Sequence, residues 1–156
     1  MLIDRKNAAQ VCENLRQQGN KIVFTNGCFD IIHAGHVRYL TAAKNFGDIL
    51  IVGLNTDESV RRLKGNSRPI NNQNDRAEVL LGLKAVDYVI FFGEQTAEAL
   101  ISEIKPDIYV KGGDYILETL PEAKIVQSYG GRVEFVNLVA GRSTTNVIKK
   151  ILAEKN

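Results

Sequence analysis

The chain has 156 residues, enough for one domain with a proper core and too few for a second of ordinary size. It is 44% hydrophobic and 24% charged, as globular proteins are, and its formal net charge of +2 shows none of the clustered basic excess of a nucleic-acid binder. No apolar run approaches the roughly 18 residues of a membrane span, and the first residues lack the order of a signal peptide, so a cytoplasmic protein without membrane or nucleic-acid partners is expected.

Residues 4–18 read as an amphipathic helix with Ala8, Val11, Cys12 and Leu15 on one face, stopped by Gly19-Asn20. This lead-in, 1–20, packs either on the domain at 21–156 or on a partner subunit. A strand follows at 21–25. Residues 35–46 have the spacing of a helix, with Gly47 as its stop. The continuous apolar run 49–54 predicts a strand covered on both faces. A short helix at 57–64, a polar loop at 65–73 and a helix at 74–84 come next. Then come strands at 88–92, 108–110 and 132–136, with helices at 96–104 and 121–129 between them, and a closing helix at 143–154. Strands alternating with helices imply an α/β fold, a Rossmann-like parallel sheet flanked by helices. Ligands of such sheets bind beyond the carboxyl ends of the strands, near the point where the strand order reverses. That directs attention to residues 26–36, 54–68, 111–115 and 141–145.

The first of these segments reads Asn26-Gly27-Cys28-Phe29-Asp30-Ile31-Ile32-His33-Ala34-Gly35-His36 and contains the only two histidines of the chain. A helix start offers free N–H groups and a partial positive charge, which attract phosphate. Imidazoles there can donate to phosphate oxygens, while Gly27 and Gly35 let the backbone approach closely. Capping or solvated histidines are one alternative. Zinc is another, but no Cys or carboxylate partners stand at ligand spacing, so no protein metal site is expected. Cys12 and Cys28 fit neither a metal spacing nor a disulfide framework and read as reduced thiols.

Gly-Cys-Phe-Asp-Ile-Ile-His-Ala-Gly-His resembles the signature of the HxGH cytidylyltransferase-like nucleotidyltransferase superfamily. Val52–Asp57, Arg62–Gly65, Arg68-Pro69-Ile70, Asp75-Arg76, Val110–Tyr115 and Gly141–Asn146 resemble, in that order, segments of heptose 1-phosphate adenylyltransferases, from about residue 20 to the end. The resemblance implies a nucleotidyltransferase domain over 21–156. It would transfer the adenylyl group of ATP, with Mg²⁺, to D-glycero-β-D-manno-heptose 1-phosphate, giving ADP-heptose and pyrophosphate for lipopolysaccharide or other surface glycans. Many relatives carry a fused sugar kinase, so a separate kinase is expected upstream, and a homodimer is the working expectation.

The resemblance also implies roles. His33, His36 and Lys64 carry the chemistry, the histidines holding the triphosphate and Lys64 closing over it from the loop. Thr25, Gly27, Cys28, Phe29 and Gly35 shape the nucleotide pocket, and Asp30 orients a histidine or assists the metal. Asn55 and Asp57 contact ribose or stabilise the turn, and Asp57 is also a candidate cap for the helix at 57–64. Arg142, Ser143, Thr144 and Thr145 meet the β- and γ-phosphates at the last helix start, a place where serine also caps for local reasons. Lys111, Gly112, Gly113, Asp114 and Tyr115, with Arg68 and Arg76, hold the acceptor. A glycerol 3-phosphate cytidylyltransferase is the nearest alternative, and a non-catalytic nucleotide-binding module is one of a different class. A dinucleotide-dependent oxidoreductase is disfavoured, because no Gly-x-Gly-x-x-Gly joins the first strand to its helix.

Overall fold

The computed structural model describes residues 1–113, 116–137 and 143–153. Six strands form one sheet in the order β1-β4-β3-β2-β5-β6, and every neighbouring pair is parallel. They are β1 (Leu2–Ile3), β2 (Ile22–Gly27), β3 (Ile49–Asn55), β4 (Tyr88–Phe92), β5 (Ile108–Gly112) and β6 (Arg132–Val136). The helices are α1 (Arg5–Gln17), α2 (Ala34–Lys44), α3 (Asp57–Lys64), α4 (Gln73–Leu81), α5 (Glu98–Ile104), α6 (Pro121–Ser128) and α7 (Thr144–Ala153). Glu154, the expected last residue of α7, lies outside the described residues. The chain therefore adopts the Rossmann-like α/β fold that its alternating pattern predicts.

Strand residues alternate between two cores. Val23, Leu50, Val52 and Val89 pack with Leu40 and Ala43 of α2 and Leu80 of α4. Ile22, Phe24, Ile51 and Ile90 pack on the other face with Leu100, Ile101 and Ile104 of α5 and Val126 of α6. Burial on both faces explains the unbroken apolar run of β3. Gly53 in that run has a specific cause. A Cβ there would stand 2.6 Å from Cζ of Phe24, whose ring is fully buried and has nowhere to go.

The lead-in helix belongs to this core. Asp4 caps α1 by accepting from the Lys6 N–H at 3.2 Å. Ala8, Cys12 and Leu15 are buried against the α5 side of the sheet. Arg5 donates to both Glu94 and Glu103. Ahead of it, β1 adds a two-residue edge strand beside β4, pairing Leu2 with Val89 and Ile3 with Ile90. So short a strand carries no readable period, and the sequence gives no sign of it. The 3₁₀ turn at Leu117–Thr119 is likewise not foreseen.

Three strands run longer at their carboxyl ends than expected, β3 by one residue to Asn55. β2 continues two residues past 25, because its ladder with β3 pairs Asn26 with Gly53 and Gly27 with Leu54. β5 continues past 110, pairing Lys111 with Phe135 and Gly112 with Val136. Residues expected in loops thus sit on the sheet. From β2 the chain steps through α2 to β3 and β4, then crosses by α5 to β5 on the other side of β2. The strand order reverses there, and the carboxyl ends of β2 and β5 flank a crevice.

Candidate functional site

A cleft of about 440 Å³ opens at those two strand ends. Among the sequence-predicted residues, Gly27, Cys28, Phe29, Asp30, His36, Asn55, Lys64, Arg68, Lys111, Gly112 and Thr144 line it. Four separate chain segments meet there.

His33 is the N-cap of α2, and its carbonyl accepts from the N–H groups of His36 and Val37 at 2.9 and 3.2 Å. That turn stacks the two imidazoles, with centroids 3.9 Å apart and planes 22° from parallel. Phe29 meets His36 edge-on at 5.3 Å. Phe29 itself sits at φ +43°, in the left-handed region that a bulky side chain rarely adopts. Its ring folds back over Gly27, where a Cβ would stand 2.9 Å from Cε2. Burial pushes His36 down to about 4, helped by the nearby His33 and Lys64 and opposed by the Ile31 carbonyl. A neutral imidazole therefore lines the cleft at pH 7.

Asp30 does something other than either expected role. Its carboxylate, 3% exposed, accepts from the N–H of Ile70 (2.8 Å), the N–H of Asn71 (3.0 Å) and Nε of Arg68 (2.5 Å). Its carbonyl accepts from the Asn71 side chain. Burial alone would raise its pKa; the Asn71 and Ile70 N–H groups and the Arg68 guanidinium outweigh that and hold it below the usual carboxylate range. Asp30 thus moors the loop between α3 and α4, whose Arg68–Pro69 peptide is cis. Arg68 lines the cleft, and its Nη2 is buried with no hydrogen bond among the described residues. Lys64 stands at the end of α3, before Gly65 at φ +93°.

Arg76 is 1% exposed and does not line the cleft. Its guanidinium donates to the carbonyls of Asn71 (3.0 Å) and Cys28 (2.6 Å) and to Asp57 (2.8 Å). Asp57 is spent on this pair, and the cap of α3 is Thr56, which accepts from the Ser59 N–H at 3.3 Å. Asn55 donates to Ser59 at 3.0 Å and accepts from the Cys28 thiol at 3.8 Å. Burial raises that thiol above its ordinary value. Thr25 is fully buried, 2.6 Å from the Tyr39 hydroxyl, which donates to the Val110 carbonyl. That chain ties β2, α2 and β5 together beneath the cleft. Gly35 is buried in α2.

From β5, Lys111 donates to the Tyr109 hydroxyl at 3.1 Å, and that hydroxyl donates to Asn26 at 2.7 Å. Burial lowers the Lys111 pKa, with Glu122 opposing. Gly113 takes φ +110°, a turn suited to glycine. Ser143 caps α7 by accepting from the Asn146 N–H, and Thr144 donates to the Ile31 carbonyl at 3.2 Å, which brings α7 to the histidine turn. Thr145 lies in the same first turn. Asp114, Tyr115 and Arg142 lie outside the described residues.

The cleft also takes in Asn26, Tyr39, Leu63, Gln95 and Glu122, which sequence reasoning missed. Asn26 lies near the end of β2, within the segment 26–36 already singled out, and Gln95 follows β4, within reach of a strand-end rule. Glu122 sits in the first turn of α6, where an acidic residue is ordinary. Among the described residues, no group of three His, Cys, Asp or Glu could hold a metal ion, and no helix is long and apolar enough to cross a membrane.

The model of a family described as cytidylyltransferase-like matches residues 24–151. Among curated proteins, the bifunctional protein HldE of Syntrophotalea carbinolica is 53% identical over 148 residues, 95% of this chain and 30% of its own length. The protein of the same name from Campylobacter curvus is 57% identical over 147 residues, 94% of this chain and 31% of its own. The chain thus spans less than a third of these relatives. A solved structure, the lipopolysaccharide core biosynthesis protein from Thermoplasma volcanium GSS1, superposes with a TM-score of 0.62 at 34% identity, covering 78% of this chain and 98% of that one.

Proposed function

The chain belongs to the cytidylyltransferase-like family, and from that premise we propose that it transfers the adenylyl group of ATP to D-glycero-β-D-manno-heptose 1-phosphate. A phosphate oxygen of the sugar attacks the α-phosphorus, a P–O bond forms, the bond to the bridging oxygen of the β-phosphate breaks, and pyrophosphate leaves. The observation that carries this reading is His36 at the start of α2, stacked on His33 and lining a cleft shared with Lys64, Arg68 and Lys111.

The nucleophile is already an anion, so no strong general base is needed, and the site's work is positioning and charge stabilisation. His33 and His36 donate to the triphosphate and the leaving pyrophosphate. Lys64 at the end of α3 and the spare Nη2 of Arg68 in the moored loop supply charge. The first turn of α7, with Ser143, Thr144 and Thr145, receives the β- and γ-phosphates on its N–H groups. Gly27, Cys28, Phe29 and Asn55 bound the nucleotide pocket, and Lys111 with Gly112 meets the acceptor phosphate. Thr25, Asp30, Asp57 and Arg76 hold these parts in place. The Asp30 carboxylate accepts from Arg68 and from the N–H groups of Ile70 and Asn71 in the loop. In this reading Mg²⁺ would be held by the substrate's phosphates and would offset their charge.

The reading carries with it a cytoplasmic location, small-molecule partners only and a sugar kinase that makes the acceptor. It also carries a homodimer, for which the exposed Ile151 and Leu152 of α7 offer an apolar face. Pyrophosphate release, measured with ATP and CTP against heptose 1-phosphate and glycerol 3-phosphate, tests it. Fastest release is expected with ATP and the heptose. Faster release with CTP and glycerol phosphate would overturn the choice of substrates, and saturable ATP binding without turnover on any acceptor would mark a binding module.

A further inference from the structure

The two ends of the cleft are built differently. Phe29 and His36 reach it from the α2 face of the sheet, whereas Gln95 and Glu122 reach it from the opposite face, where α5 and α6 pack. The cations that line it, Lys64, Arg68 and Lys111, suit phosphate. Glu122 does not, because a carboxylate repels it.

Glu122 is only 4% exposed. A carboxylate can accept about four hydrogen bonds. Among the described residues Glu122 accepts one, a long one of 3.5 Å from the Ala97 N–H, and it stands 3.9 Å from Nζ of Lys111, beyond hydrogen-bond reach. Asp30, the other carboxylate of the lining, has its acceptors filled by the loop it moors. Glu122 is thus a buried carboxylate with acceptor capacity left over, lining a cleft next to a cation. Buried polar groups are normally satisfied, and beside a phosphate held by Lys111 the hydroxyls of a polyol acceptor are donors that can satisfy this carboxylate.

We propose that Glu122, with Lys111 and Gln95, forms the subsite for a polyhydroxylated acceptor phosphate. Lys111 takes the phosphate, and Glu122 accepts hydrogen bonds from hydroxyls beside it. Glu122 makes and breaks no bond in the transfer; it selects which acceptor is held. The inference rests on the nucleotidyl-transfer reading and adds to it the residue that distinguishes a sugar from a smaller polyol.

The test uses Glu122→Gln, which keeps the shape, and Gln95→Ala at an exposed position, with pyrophosphate release followed while acceptor and ATP are varied in turn. Glu122→Gln is expected to raise KM for heptose 1-phosphate about tenfold, as the loss of one charge-assisted hydrogen bond would, with KM for ATP within about twofold. Gln95→Ala moves the acceptor KM the same way by less, and any turnover on glycerol 3-phosphate changes little, since that acceptor has few hydroxyls to read. An unchanged acceptor KM in Glu122→Gln, or a rise in KM for ATP instead, overturns the inference. If Glu122→Gln does not fold, an unchanged acceptor KM in Gln95→Ala overturns it. Parent turnover with unaffected variants sinks this subsite alone; a parent inactive on every sugar and polyol phosphate sinks the functional reading and the subsite with it.

Discussion

At the scale of single residues, burial and hydrogen bonding set the protonation of groups that line the cleft. His36 is half-buried beside a second imidazole, and burial keeps it neutral at pH 7. Replacing His33 or His36 with alanine is expected to lower turnover about 100-fold or more, the usual size for a lost transition-state donor, while the melting temperature stays within about 5 °C of the parent. Enzyme assay beside a thermal melt checks both halves, and near-normal turnover would sink the assignment. The same burial makes stability depend on pH. The unfolded chain takes up a proton on His36 near 6.5, which the folded chain refuses until about 4, so stability falls as pH drops across that window and this contribution levels off below it. Asp30, whose folded pKa is depressed, adds stability above the ordinary carboxylate value of 3.8 and loses it as pH falls through its lower folded value. Denaturant titrations through the acid range are expected to show both losses, and His36→Gln to flatten the upper one.

Elements meet at this site through a clasp rather than through packing alone. Arg76 of α4 reaches the β2 exit at Cys28, the loop at Asn71 and the start of α3 at Asp57, while Asp30 grips the same loop from the other side. Lys64 and Arg68 are placed by that clasp. Arg76→Met would leave Asp57 and two carbonyls without their donor and is expected to cost about 3–5 kcal/mol, read from chemical denaturation. A loss below about 1 kcal/mol would show that water replaces the guanidinium and that the clasp is not what fixes the loop.

At the scale of the whole molecule, α1 and β1 are part of the domain's wall, covering the α5 face and one edge of the sheet. Removing residues 1–18 uncovers Ile101, Ile104 and Ile90, and is expected to lower stability by at least about 3 kcal/mol at 25 cal/mol per Å² of apolar surface; an unchanged denaturation midpoint would make the segment an appendage after all. The parallel sheet, both cores and the segments that bear the site could be read from the chain, because β3's unbroken apolar run, the period of α1 and the His33–His36 spacing are local signals. Three things could not. The continuation of β2 to Gly27 depends on a ladder with β3, remote in sequence. The spending of Asp30 on Arg68 and of Asp57 on Arg76 depends on burial, since a charged side chain taken from water must find a partner and the sequence does not say which. The presence of Glu122 at the cleft depends on where α6 crosses the sheet. The sequence by itself determined the fold class and the histidine turn, whose geometry is set within a few residues. Only the tertiary structure decided which polar groups remain to meet a ligand, because that is settled by which of their neighbours, distant along the chain, have already satisfied them.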